Sequence, residues 1–205
     1  MSAAENMPQE MMEPASAMPG EEASWDRGRV GMACLIFGES TFFSVFVVAY
    51  LFYLGKSATG PQPSDVLEFP LLATVCLLSS SLTVAWAVKA LGAGQSFRAG
   101  LGLLFTIVLG GCFIGATAAE WYGLIYDHGL TIETNLFGTT FYSLVGFHAA
   151  HVILGLSMLC LVLVGVVMGR LGSEYSERVE ILSWYWHFVD AVWIVVLTTV
   201  YIVGV

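Results

Sequence analysis

The stretch Leu136–Met168, LFGTTFYSLVGFHAAHVILGLSMLCLVLVGVVM, runs 33 residues without a single Asp, Glu, Lys or Arg. A helix crosses about 30 Å of hydrocarbon with about 20 apolar residues. This segment therefore spans a membrane, with length left over for tilt or projection. Working outward from it, four more segments qualify: Val30–Leu54, Leu67–Leu91, Phe97–Tyr126 and Ile181–Val203. Lipid offers no partner to open backbone N–H and C=O groups, so each span must be helical. The fold expected is all-α, a five-transmembrane-helix bundle. Composition agrees: 57% of residues are hydrophobic and only 11% charged, against about 25% charged in soluble domains.

Residues 1–26 hold Glu5, Glu10, Glu13, Glu21, Glu22 and Asp26 and no basic residue. They lack a basic segment followed by an apolar run, so they are no signal peptide. They read as a disordered acidic cytoplasmic tail ahead of a membrane domain at 27–205. A net charge of −9 gives no footing for a nucleic-acid partner. Cys34, Cys76, Cys112 and Cys160 fall in four different apolar segments. They read as small apolar packing residues rather than a disulfide framework. Basic residues set the orientation. With the N-terminus cytoplasmic, the inner side holds Arg27, Arg29, Lys89, Arg98, Arg170 and Arg178, and the outer side only Lys56. The C-terminus then faces the periplasm.

Ionisable side chains within spans are costly and mark functional positions. Six stand out: Glu39, Glu120, His148, His151, His187 and Asp190. At about 1.5 Å per residue, Glu39 lies roughly 13 Å from the inner boundary, with Asp190 at a similar depth. His187 and Asp190 are three apart and share a helix face. These depths predict an inner polar layer of Glu39, His187 and Asp190. His148, His151 and Glu120 form a second, outer layer. Three readings are open: hydrogen bonding that specifies helix packing, a lipid or partner contact, and metal or proton chemistry. His-x-x-His alone is a weak metal signature.

Aromatic residues gather near helix ends: Trp25, Trp121, Tyr122, Tyr126, Trp184, Tyr185, Trp186 and Tyr201. The expected role is an interfacial belt. The competing one is a lipid head-group site at Trp184 and Trp186, with Arg98 and Arg178 holding phosphates.

The run Trp184-Tyr185-Trp186-His187-Phe188-Val189-Asp190, continued by Ala191-Val192-Trp193, resembles the last-helix signature of haem–copper oxidase subunit III. Gly146-Phe147-His148-Ala149-Ala150-His151-Val152, followed by Gly155, resembles that family's G-x-H-x-x-H-V motif. Gly31-Met32 through Gly38-Glu39 to Phe42-Phe43 is similar to its first-helix G-M-x-x-F-x-x-S-E pattern, with Leu35 and Gly38 where Phe and Ser are common. Glu120-Trp121-Tyr122 and Phe137-Gly138-Thr139-Thr140-Phe141 match two further motifs, in order over residues 27–204.

The resemblance is to the five-helix form, without the helix pair that builds one arm of the lipid cleft in seven-helix members. It implies a non-catalytic subunit with no haem or copper of its own, those groups residing in partner subunits. It implies packing against oxidase subunit I, with subunit II and small subunits nearby, bound phospholipid, and support of proton uptake. It places Glu39 on the family's buried, carbodiimide-reactive carboxylate, and the protein in a bacterial inner membrane. Cytochrome c is the donor expected, with quinol the alternative. Two different classes stand beside this reading. One is an independent transporter using Glu39 and Asp190. The other is a redox protein with haem or metal on His148, His151 or His187.

Overall fold

The computed structural model describes residues 27–57 and 60–205; the acidic stretch 1–26, Trp25 included, lies outside them. Six α-helices follow in chain order: α1 (Arg27–Tyr53), a short α2 (Pro63–Val66), α3 (Leu71–Gly92), α4 (Ser96–Tyr126), α5 (Leu136–Val167) and α6 (Ser176–Leu197). All but α2 are long and apolar enough to cross a membrane. At about 1.5 Å per residue, the 27 residues of α1 make about 40 Å and the 32 of α5 about 48 Å.

Helix α1 starts at Arg27 rather than Val30, and two boundaries differ further from those expected, each for a local reason. The second span starts at Leu71 rather than Leu67, because Pro70 stands at its N-cap and the residue before a proline is pushed out of the helical region. The fifth begins at Ser176 rather than Ile181. Its first turn carries Glu177, and a carboxylate suits the positive end of a helix dipole. Arg29 Nη2 lies 2.9 Å from Glu177 and 3.8 Å from Glu180, clipping the start of α1 to the start of α6. At the start of α5, Asn135 Oδ1 accepts from the Gly138 N–H at 2.8 Å, satisfying one of the donors that a helix N-terminus leaves open.

Helices α3, α4, α5 and α6 close into a quartet, and α1 lies outside it in the groove between α5 and α6. The central helix is α6, which packs on α1, α3 and α5. Trp186 anchors it. Its ring is 1% exposed and sits where Gly110 and Gly155 leave room. A Cβ on either glycine would approach the ring to 3.0 or 2.8 Å. Its Nε1 donates to Ser80 Oγ on α3 at 2.8 Å. Trp193, about two turns further, donates to Thr74 Oγ1 at 3.2 Å. Such bonds between helices contribute about 0.6 kcal/mol each in lipid.

Helix α1 is built differently. Ser40, Thr41 and Ser44 donate to Ile36 O, Phe37 O and Ser40 O within the helix itself. Those hydroxyls ask nothing of a neighbour, and Phe37, Val45 and Val48 stand exposed on its outer surface. Cys34, Cys112 and Cys160 are also exposed and Cys76 half-buried, all free thiols. Cys34, Cys112 and Cys160 thus face outward rather than packing in the core.

Candidate functional site

The six intramembrane ionisable residues separate into pairings other than the two layers expected. Glu39 Oε2 lies 3.3 Å from His151 Nε2, joining α1 to α5. His151 Nδ1 lies 2.8 Å from the Phe147 carbonyl oxygen. A carbonyl only accepts, so Nδ1 carries a hydrogen. Nε2 and Oε2 then share one proton: either a carboxylic acid donates to neutral imidazole, or imidazolium donates to carboxylate. The glutamate side chain is 33% exposed and the histidine 12%, so the pair opens to the outer surface of the bundle. Phe43 and Phe147 pack edge-on to the imidazole at 5.1 and 4.5 Å. Tyr185 donates to the His151 carbonyl at 3.2 Å, tying the pair to α6.

His187 and Asp190 do not meet Glu39. Both reach Ser81 on α3: its Oγ lies 2.9 Å from His187 Nδ1 and bonds Asp190 Oδ2. Asp190 is 4% exposed, and its Oδ1 has no partner. Glu120 belongs to neither group, accepting from Tyr201 Oη at 2.8 Å near the Lys56 end of the bundle. Tyr201 reaches it from a π-helical turn, Thr198–Ile202, that continues α6. Glu120 also borders a groove of about 510 Å³ between the start of α3 and the end of α4, with Glu68, Leu72 and Asp127.

His148 stands apart. It is 0% exposed, stacked on Trp193 at 5.2 Å and edge-on to Phe113 at 5.8 Å, and neither ring nitrogen has a hydrogen-bond partner. His148 and His151, three residues apart, are about 60° apart around the axis at 3.6 residues per turn. That is enough to send one ring into the quartet and the other toward α1.

Residues expected at a head-group site part company. Trp186 is in the core, so it lines no lipid surface, and Tyr185 and Tyr201 are likewise buried rather than interfacial. Tyr122 and Tyr126 are exposed, their rings 4.5 Å apart and tilted by 34°, in keeping with a belt. Trp184 is half-buried. Arg98 donates to Gln95 Oε1 at 2.9 Å, and Arg178 lies 5.4 Å over the Tyr175 ring. Among the described residues no three His, Cys, Asp or Glu side chains converge as metal ligands would. His148, His151 and His187 each have different ring neighbours.

Residues 21–205 match the family model described as cytochrome c oxidase subunit III. This chain belongs to the cytochrome c oxidase subunit III family. It is similar to "Cytochrome c oxidase subunit 3" of Scyliorhinus canicula, at 38% identity over 84% of this chain and 68% of the relative. To the protein of that name from Formosania lacustris the identity is 37% over the same shares. Against the bacterial one of Alkalihalophilus pseudofirmus it is 33%, covering 82% of each chain. Equal coverage makes that bacterial protein a match in length as well as pattern. A role in the respiratory chain follows from membership of this family.

Proposed function

We propose that this chain is the non-catalytic third subunit of a proton-pumping haem–copper oxidase that takes electrons from cytochrome c and reduces oxygen to water. The match over residues 21–205, together with relatives all named for cytochrome c oxidase, carries this reading. Haem and copper belong to the partner subunits. This chain packs on subunit I within an assembly that includes subunit II and smaller subunits, in a bacterial inner membrane. Six of the seven basic residues gather at the end where α1 begins, so that end is cytoplasmic.

Its own residues support two tasks. The Glu39–His151 pair holds one proton at mid-membrane, about 18 Å from Arg27 along α1, on a half-open face. That chemistry suits the support of proton uptake. Between α1 and α6 runs a groove of about 430 Å³, lined by Ser40, Ser44, Val48, Phe188 and Val195, and an acyl chain fits its apolar walls. Arg98 on α4 and Arg178 on α6, at the cytoplasmic end, supply charge for a phosphate, with Trp184 six residues beyond Arg178 on the same helix.

Tagging the chain and extracting the membrane in mild detergent tests the reading. A larger haem-bearing subunit should co-elute, with oxygen uptake driven by reduced cytochrome c. Elution of the chain alone, or with its own haem spectrum, would defeat the proposal. Oxidation of quinol but not cytochrome c would overturn the donor.

A further inference from the structure

Asp190 is enclosed where α6 meets α3, and among the described residues no cation pairs with it. The ion pairs of the described residues are Arg29 with Glu177 and Glu180, and Glu39 with His151; none involves Asp190. Neighbouring polar groups are committed elsewhere. Ser80 binds Trp186 and Leu77 O, His151 binds Glu39, and His148 is held among Trp193 and Phe113. That leaves Ser81, placed between the Asp190 carboxyl and the His187 imidazole.

Its hydroxyl has one hydrogen to give and lone pairs to receive, so two arrangements exist. In the first, His187 Nδ1–H donates to Ser81, and Ser81 donates to an Asp190 carboxylate. That leaves Oδ1, an anionic oxygen, bare in the interior, which is the costliest kind of buried group. In the second, a carboxylic acid on Asp190 donates from Oδ2 to Ser81, and Ser81 donates to His187 Nδ1. Only a neutral carbonyl oxygen then lacks a partner.

We propose that Asp190, Ser81 and His187 form a proton-holding relay, with the proton resting on Asp190 and Ser81 as the conducting hydroxyl. The step is balanced. Asp190 Oδ2 gives its proton to Ser81 Oγ as the Ser81 hydroxyl proton moves to His187 Nδ1. The products are a carboxylate, a serine hydroxyl turned the other way and an imidazolium. No electrons move. The His187 ring is only half-buried, so the relay's receiving end lies toward the surface of the quartet.

Infrared spectroscopy of the full chain, in the assembly it forms, tests this. The wild type should show a protonated-carboxyl stretching band that is lost in Asp190→Asn. The band should shift in Ser81→Ala, which deletes its hydrogen-bond acceptor, and hold its place in Ser81→Thr, which keeps it. If Asp190→Asn does not assemble, carbon-13 aspartate labelling serves instead. Of the four aspartates, Asp26, Asp65, Asp127 and Asp190, only Asp190 lies inside a span. A labelled band sensitive to Ser81→Ala supports the relay. No carboxyl band lost or labelled at Asp190, or one indifferent to Ser81→Ala, overturns it.

Discussion

Two carboxylate–imidazole groups occupy the middle of this bundle and differ in what surrounds them. Glu39 and His151 join α1 to α5 on the outside of the quartet, where α1 buries few of its residues. Asp190 and His187 meet through Ser81 inside it, on a helix with many of its residues buried. The first pair touches directly and is half open, so its proton can exchange with the surroundings at small structural cost. The second is bridged by a hydroxyl and enclosed, so its hydrogen bonds are also packing constraints. A carboxyl and an imidazole thus make a half-open proton-sharing pair at the margin and, at the centre, a relay whose hydrogen bonds also hold α6 to α3.

That contrast can be broken in four ways, from the largest expected effect down. Trp186→Ala empties the space between Gly110 and Gly155. It should destabilise the quartet by about 3–5 kcal/mol, measured as lost resistance to denaturant in micelles; a loss of well under 1 kcal/mol would mean α6 is not the centre. Ser81→Val strips the bridge and leaves His187 and Asp190 unpaired, for an expected loss of about 1–3 kcal/mol in the same assay. For the marginal pair, a double-mutant cycle on Glu39→Gln and His151→Gln should return a coupling of about 0.6 kcal/mol. Finally, Glu39→Gln and His187→Gln should add to within about 0.5 kcal/mol, as sites without shared partners do. Strong coupling there would restore the single inner layer that helix depths alone predict.

Five spans were legible because long runs without charge leave a chain no other course in lipid. The second span's start was misplaced because hydropathy does not see what Pro70 does to Phe69. The last span's start was misplaced because Glu177, Arg178 and Glu180 look like loop residues until Arg29 is found opposite them. All six intramembrane ionisable residues were visible as isolated polar letters in apolar text. Their partners were not, because depth along an axis says nothing of rotation about it: His148 and His151 point to different helices from one turn. Ser81 was missed although Ser79-Ser80-Ser81 interrupts an apolar span. That triplet was the signal, since Ser80 takes Trp186 and Ser81 takes Asp190 and His187. Trp186 was misread because its neighbours in sequence suit an interface, while the glycines that admit it, Gly110 and Gly155, come from two other helices.

The position of α6 also bears on biogenesis. The hairpin of α3 and α4 joins neighbours in sequence and can zip together while translation proceeds. The contacts of α1 are with α5 and α6, the nearer of which begins only at Leu136, long after α1 ends at Tyr53. As the ribosome delivers the chain, α1 waits in the bilayer with no docking site until α5 arrives, and its cradle is complete only when α6 threads in. Interrupting synthesis before Ser176 would therefore leave the first helix held by α5 alone beside an unclosed three-helix remnant, a substrate for membrane proteases rather than a smaller version of the same protein.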